Sequence, residues 1–514
     1  MVGLGVVAEA SDWPQWRGPG RDGVVASSPP LVDTLANVSR EPLWRSERIL
    51  AENQGGWGSV VVGEGRAYVY ANWKYKVPIE TRTLAQRGLE TLGWRPDMPE
   101  DLARKVEAAR LSEERAGVAR ADARSWCAEW VKQNLSTEQG KKWNQVCQRR
   151  LLLGEGAVPL DDVMKLAAIR DREFPNADAL VQWLADSGID APRREAILKV
   201  VPTTADRAHD KVFCLDAATG ETVWQMEREG TFTGYSSSST PCVAGGRCYV
   251  QGSGGRIYCL DAATGDEVWQ RQVEVKANEL ASSFVVQDGV AVLLVGQLTG
   301  FDAATGEVLW RQGDVAGVYG SAAYWRTGDG TYLVCNGAKE TFCLDAKTGA
   351  VVWRAPGGGW STPAVSGDLM VVSTNNKALG VIGYRLSLSG AEKLWNVDFL
   401  DRGTSPLIYG EHVCLVGGGA VARILCVDAS SGEVVWQEKL PSTELASPVV
   451  ADGKLLYVSR GSLHMAEATP EAFRPLGEAK LGAAVCITPG IVDGRLFLRL
   501  KDSVACYDLR GSPS

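Results

Sequence analysis

Val212–Trp224 reads VFCLDAATGETVW, and the stretch comes back as IYCLDAATGDEVW (Ile257–Trp269), LTGFDAATGEVLW (Leu298–Trp310), TFCLDAKTGAVVW (Thr341–Trp353) and ILCVDASSGEVVW (Ile424–Trp436). A worn copy, VIGYRLSLSGAEKLW, ends at Trp395, and half a copy, VACYDLRG, ends at Gly511. The repeat aspartates Asp216, Asp261, Asp302 and Asp345 stand 45, 41 and 43 residues apart. A period near 40 built from strand-like units marks a propeller or a similar array.

Each part of the unit has a physical task. The lead-in alternates as a strand does and is rich in β-branched and aromatic residues. Asp-x-x-Thr-Gly is turn chemistry: the carboxylate accepts from backbone N–H groups further on, and Gly takes the positive φ that closes the hairpin. The following apolar strand ends in Trp, a flat group large enough to bury against a neighbouring unit. One unit cannot hide its indole alone, whereas a ring of units can.

Composition agrees. The chain has 514 residues, 45% of them hydrophobic, with 57 Gly and 18 Trp, enough for a large core. Its net charge of -8 excludes a general nucleic-acid binder, which needs a basic face. The sequence has no run of 18 apolar residues, so no transmembrane helix is expected. Residues 1–11 carry a short apolar run, Val2–Ala8, and an A-x-A site, Ala8-Glu9-Ala10, without a basic start. They are expected to be a leader or the stump of a secretory signal, which places the protein in the periplasm or otherwise outside the cytoplasm. Of 12 cysteines, Cys214, Cys259, Cys343, Cys426 and Cys506 fall two before a repeat Asp. Equivalent sites in different units are too far apart to bridge, so these read as small buried residues. Cys127 and Cys147 are the pair to test first for a disulfide; Cys242 and Cys248 flank a turn and read as core.

Residues 12–80 are expected to hold an opening segment, DWPQWRGPGRDG (12–23), which wraps the surface and plugs something apolar. A closing strand at Trp44 and the start of the first blade follow. Trp44 has a repeat's Trp without the Asp turn, and VACYDLRG has the turn without the Trp. The two halves complete one sheet, which joins the chain ends and removes open edges. Blade starts read SSTP (Ser238–Pro241), STP (Ser361–Pro363), TSP (Thr404–Pro406), ASP (Ala446–Pro448) and ITP (Ile487–Pro489). Counting Trp44, Trp224, Trp269, Trp310, Trp353, Trp395, Trp436 and a Trp-less copy near Pro475–Leu481 predicts an all-β, eight-bladed propeller of four-stranded antiparallel blades. Residues 206–511 hold the remaining blades.

An α-helical insertion interrupts the first blade over residues 81–205. There charge is dense and balanced, with 20 Lys/Arg and 19 Asp/Glu, and helix punctuation appears. Pro99 opens a helical segment expected to run to about Leu135. Ser136-Thr-Glu-Gln139 is a capping box. Further helices are expected over Asp161–Glu173, Asp178–Ser187 and Ala191–Val200. Such inserts carry recognition or serve as lids.

At these Asp-x-x-Thr-Gly-x-x-x-Trp units the chain resembles the pyrroloquinoline-quinone (PQQ) repeat propellers. The resemblance covers roughly residues 12–80 and 206–511, and it implies that the repeat Trp residues dock adjacent blades. DWPQWRGPGRDG resembles the N-terminal signature of extracytoplasmic members. Two branches are implied: quinoprotein alcohol and glucose dehydrogenases, which bind PQQ and usually calcium, and BamB-type outer-membrane assembly lipoproteins, which are scaffolds without a cofactor. The adjacent cysteine pair of the quinoprotein alcohol dehydrogenases and a Cys-x-x-Cys-His haem site are both missing from the sequence. His209, His412 and His464 are scattered and read as surface or turn residues. Asp398, Asp401 and Glu411 are spare carboxylates with no sign of the convergence that calcium needs. Nor does a cysteine stand near position 1, where BamB-type proteins are lipidated; the first is Cys127.

In a propeller the start of each innermost strand faces the channel mouth, where polar and aromatic residues form the default pocket. The candidates are Trp57, Ser59, Tyr235, Ser239, Ser283, Tyr319, Ser321, Trp360, Ser361, Arg402, Thr404, Ser405, Ser447 and Thr488. Trp360 would floor a planar anionic quinone and Arg402 would pair with its charge. The plainer alternative is that Ser or Thr before Pro caps the inner strand. The expected function is a non-catalytic scaffold, a monomer that binds other proteins through its face or the insert, with no cofactor, no nucleic acid and no metal. The alternatives are a PQQ-dependent alcohol or sugar dehydrogenase using calcium, and a carbohydrate binder stacking sugars on Trp57 and Trp360.

Overall fold

The computed structural model describes residues 12–235, 237–275, 282–317, 319–401, 403–418, 421–443 and 445–511. The leader expected over 1–11 lies outside the described residues. The chain divides into two compact units, one of them Lys76–Asp206 and the other the residues on either side. Among the described residues no helix is long and apolar enough to cross a membrane.

The larger unit is built of eight four-stranded antiparallel sheets. The first holds Val61–Gly63, Arg66–Pro78, Thr204–Asp216 and Thr222–Gly230. The next six follow in chain order and begin at Cys242, Val285, Ala323, Ala364, Leu407 and Val449. The eighth holds Gly490–Val492, Arg495–Arg499 and Val504–Asp508, and its fourth strand is Trp44–Arg45, with Trp44 opposite Cys506 and Arg45 opposite Ala505. The two ends of the chain thus share one sheet.

The repeat Trp lies across from the residue two before the repeat Asp. The pairs are Cys214 with Trp224, Cys259 with Trp269, Cys343 with Trp353 and Cys426 with Trp436. In the third and fifth sheets that residue is Gly300 or Gly383, and a Cβ on either would fall 2.2 or 2.1 Å from its own indole. Just past this pair the register shifts by one residue in each case. This β-bulge leaves the residue before the Trp unpaired, and Val223, Val268, Leu309 and Val435 accordingly face solvent. The bulge adds the local twist that turns each indole toward the next sheet.

There the indole meets a turn. Trp44, Trp224, Trp269 and Trp395 donate through Nε1 to the carbonyls of Ala217, Ala262, Ala303 and Ala429, each the residue after an Asp of the following sheet. Trp353 and Trp436 donate to Ser387 and Thr469. Trp310 packs on Gly349 but its buried Nε1 has no partner among the described residues. The turn glycine is required twice over. Gly220 has φ 77°, and a Cβ there would lie 2.3 Å from the Trp44 ring. Because Trp44 belongs to the eighth sheet and Ala217 to the first, the same contact links last to first.

The turn aspartates work as expected of their chemistry. Asp302 accepts from the N–H groups of Ala304 and Thr305 at 3.0 and 2.8 Å. The N–H three residues on is the largest influence holding Asp216, Asp261 and Asp302 below the usual carboxylate range of 3.8. The hydroxyl of Ser430 leads in bringing Asp428 to about 2. Groups lowered in the folded state stay ionised while the unfolded chain takes up protons. Their contribution is therefore present above pH 3.8 and lost as pH falls toward about 2. Unfolding midpoints measured across that window should drop steeply, and Asp302→Asn should lower the proton uptake that accompanies acid unfolding.

All twelve cysteines are free, Cys127, Cys147, Cys242 and Cys248 included, and all but the half-buried Cys486 are buried. Burial pushes the Cys343 thiol up to about 12. These side chains pack as small apolar groups.

The unit Lys76–Asp206 is helical around its own core of Leu89, Cys147, Leu151, Val163, Leu166, Leu184 and Ile197. The capping box at Ser136 and Gln139 starts Thr137–Leu153. The expected continuous segment from Pro99 to Leu135 is instead Glu100–Arg110, Glu113–Ala116 and Ala123–Asn134. Ser112 breaks it by capping a fresh turn, its hydroxyl accepting from Arg115 N. The helix expected over Asp161–Glu173 is shorter, Leu160–Ala168, and Glu173–Phe174 pairs with Arg82–Thr83 as a small sheet. Glu107 ties Arg110 and Arg150 together at 2.5 and 2.8 Å, with both arginines buried.

Candidate functional site

The innermost strand of each sheet is preceded by a hydroxyl residue, and these residues bond to one another from sheet to sheet. The N–H of Ser59 donates to Thr240 Oγ1, that of Thr240 to Ser283 Oγ, and that of Ser283 to Ser321 Oγ. Ser321 donates to Thr362, Thr362 to Ser405, and Ser405 to Ser447. The N–H of Thr488 donates to Ser59 Oγ. Every link measures 2.9 or 3.0 Å. These residues are all buried. Ser or Thr is needed here because each position must offer an acceptor to the preceding sheet while its own N–H reaches the next. The hydroxyls clasp neighbouring sheets together; they do not cap their own strands.

Above this hydroxyl belt lies a cup of about 360 Å³. Its walls are five aromatic side chains, Trp16, Trp57, Tyr235, Tyr319 and Trp360, with the belt residues Ser59, Thr240, Ser283, Ser321, Thr362, Ser405 and Thr488, and Ser238, Gly403, Leu445 and Cys486 between them. Tyr319 sits edge-on to Trp360 with centroids 5.2 Å apart. Tyr235, Tyr319 and Trp360 are 53, 37 and 38% exposed, so three rings stand ready at the surface. A second hollow of about 620 Å³ shares Trp360 and continues along Gly296, Gly313, Gly317 and Gly359.

The opening segment supplies Trp16. Trp13 is buried and exchanges backbone hydrogen bonds with Val62 of the first sheet, and Val243 of the second donates to Pro14 O. Arg21 Nη1 reaches Phe284 O beside the third sheet, Arg17 Nη2 reaches Pro406 O beside the sixth, and Val450 of the seventh donates to Gly23 O. A segment that meets sheets on opposite sides must cross between them. It plugs the middle of the larger unit, where a wrap over the surface was the other half of the expectation.

Of the sequence candidates, Trp57, Ser59, Tyr235, Ser283, Tyr319, Ser321, Trp360, Ser405 and Thr488 line the cup. Ser239 and Ser361 do not: the belt positions are Thr240 and Thr362, one residue on, because the residue directly before Pro carries the clasp. Ser361 Oγ instead donates to Ser373 O. Thr404 is held by Asp401 and Val416 O. Ser447 belongs to the belt through its hydroxyl. Arg402 lies outside the described residues. Trp16, Thr240 and Thr362 were missed; the Thr-Pro pairs Thr240-Pro241 and Thr362-Pro363 were the available signal for the last two.

The spare carboxylates do not come together. Asp398 and Glu411 line separate surface hollows, and buried Asp401 accepts from Thr404 N at 2.6 Å. Among the described residues no His/Cys/Asp/Glu group is placed to hold a metal ion. The described lining offers rings and hydroxyls, a poor fit to a quinone polycarboxylate with its calcium, which calls for cations and carboxylates. The histidines stand on strands, not in turns. His464 stacks on Tyr457 with centroids 4.9 Å apart, and His209 Nε2 meets Tyr75 Oη at 2.9 Å.

A family model described as outer membrane protein assembly factor BamB matches residues 200–331, 295–398, 380–471 and 420–509, together more than half of the chain. The outer membrane protein assembly factor BamB of Salmonella typhimurium (strain LT2) is 29% identical over 267 residues, which cover 49% of this chain and 65% of that protein. Its counterpart in Yersinia pestis is 26% identical over 266 residues, covering 48% and 64%. The chain thus spans less than two thirds of either relative. Among solved structures, BamB from Moraxella catarrhalis aligns over 58% of this chain and 88% of its own, at 17% identity and a TM-score of 0.47.

Proposed function

This chain belongs to the family whose model is described as outer membrane protein assembly factor BamB, and from that premise we propose that it is an extracytoplasmic eight-bladed propeller acting as a non-catalytic binding scaffold in protein assembly. The observation that carries the reading is the aromatic cup. Three partly exposed rings over a belt of hydroxyls, seven of the eight occupied as acceptors, form a surface that grips an apolar or aromatic side chain. Aromatic anchors seated in such pockets dominate protein interfaces. The Gly-lined hollow beyond Trp360 leaves room for the backbone on either side of the anchor.

A photo-crosslinking residue at position 235 or 319, in cells with an outer membrane, tests this. Adducts with outer-membrane proteins or their assembly machinery, cut at least fivefold by Trp360→Ala, are expected. The carbohydrate reading, which Trp57 and Trp360 in one cup favour, predicts glycan-array binding lost in Trp57→Ala. Stoichiometric uptake of PQQ with calcium, followed by dye reduction with an alcohol panel, would overturn the scaffold reading.

A further inference from the structure

Arg17 and Arg21 are the most costly residues of the opening segment. Both guanidiniums are buried, at 0 and 1% exposure, and both backbones sit in the left-handed region at φ 63° and 55°. That conformation is unfavourable for an L-residue. Each stacks on Trp16, with the guanidinium carbon 5.6 and 5.8 Å from the ring centroid. Neither forms an ion pair among the described residues. Arg17 spends Nη2 on Asp22 O and Pro406 O, and Arg21 spends Nη1 on Gln15 Oε1 and Phe284 O. Arg17 Nε and Nη1 and Arg21 Nε and Nη2 are buried with no partner among the described residues.

Arg499 shows how this fold satisfies a buried arginine when only structure is at stake. It is equally buried, yet it reaches the carbonyls of Gly58, Tyr70, Leu50 and Gly55 and leaves only Nε over. The Arg17/Arg21 pair leaves four nitrogens over, and the Tyr324 hydroxyl, within reach of the Arg21 charge, is a fifth buried polar atom without a protein partner. A buried cation with no ion-paired partner is costly. Here two cations sit close enough to feel one another. Burial brings the Arg17 group down to about 10, with the Asp22 charge opposing it and the Arg21 charge adding to it. Water would supply acceptors but would leave the charge unmatched.

We propose that a small inorganic anion binds beside Trp16, between the unspent guanidinium nitrogens of Arg17 and Arg21. Charged N–H donors in a dry setting match a halide or a tetrahedral oxyanion, and guanidinium is suited to both. The anion joins the plug to the third and sixth sheets and fixes the Trp16 ring in the wall of the cup. This site is independent of what the cup itself binds.

The test uses the full chain dialysed into sodium gluconate as the reference salt. Chloride, sulfate and phosphate are then titrated at constant ionic strength while thermal unfolding is followed. For the anion that binds, the midpoint should rise by roughly 2 °C per tenfold increase. Arg17→Met and Arg21→Met should each abolish the rise. If no anion exceeds gluconate, or if both variants keep the response, the proposal is overturned. Crystals of the parent protein grown with bromide or with selenate decide even where the variants fail to fold. Anomalous density between the two guanidiniums supports the site, and density for water only, with either salt, overturns it.

Discussion

Trp44→Ala is expected to lower stability by about 3–5 kcal/mol, the range for deleting a buried large aromatic. Trp44 is 8% exposed, donates to Ala217 O at 3.0 Å, covers Gly220 and meets Phe497 edge-on at 5.9 Å. Its distinguishing effect is on location. Every other repeat Trp stands on a strand that continues the chain of its own sheet, whereas Trp44 stands on a strand held to the eighth sheet only by its pairing with Val504–Asp508, so that pairing and the Trp44 contact together tie the eighth sheet to the first. Hydrogen exchange should therefore quicken in Val61–Gly63, Thr222–Gly230 and Gly490–Val492, and the segment 12–50 should become sensitive to protease. Trp269→Ala is the control: it should lose a similar free energy while its exchange changes stay within the second and third sheets. If Trp44→Ala and Trp269→Ala give the same exchange map, the first and last sheets are not held by this contact.

Arg499→Met is expected to cost a comparable amount by a different route. The side chain is fully buried and holds four backbone carbonyls, at 2.9, 2.9, 2.6 and 3.2 Å. Removing the donor leaves them buried and unpaired, and losses of this kind reach about 3–5 kcal/mol when a buried polar network is broken. Two of the carbonyls, Leu50 and Gly55, belong to the loop that delivers Trp57 to the cup. A third, Tyr70, connects through its hydroxyl to buried Asp210 at 2.7 Å, which also accepts from Tyr258. The variant should show a mobile Trp57, visible as increased solvent quenching of the emission that Trp57→Phe removes in the same background. It should also lose binding at the cup out of proportion to its stability. Unchanged quenching beside a lowered midpoint would reduce Arg499 to a packing residue.

The amino-acid order by itself determined the β-repeat architecture, the turn chemistry and the completion of one sheet by both ends of the chain. These are properties of residues close in sequence: a two-residue alternation, an Asp with its N–H donors two and three residues on, a Trp at fixed spacing. Cys506 announced its partner because a half-repeat without a Trp needs one. The bulge beside each Trp was not legible, since a run such as GEVLW reads as an even strand until the opposite strand sets the register.

Tertiary structure alone decided the rest. The choice of Thr240 over Ser239 and of Thr362 over Ser361 depends on which hydroxyl meets an N–H of the neighbouring sheet, 181 residues away in the first case and 41 in the second. In SSTP the candidate hydroxyls are chemically alike. The arginines of RGPGRDG look like surface charge in any local reading, because charged side chains belong in water. Only the crossing of that segment between the third and sixth sheets takes Arg17 and Arg21 out of solvent, and only there does their charge acquire a consequence. Short-range spacing encodes elements; which groups share a dry interior is settled when distant sheets close around them.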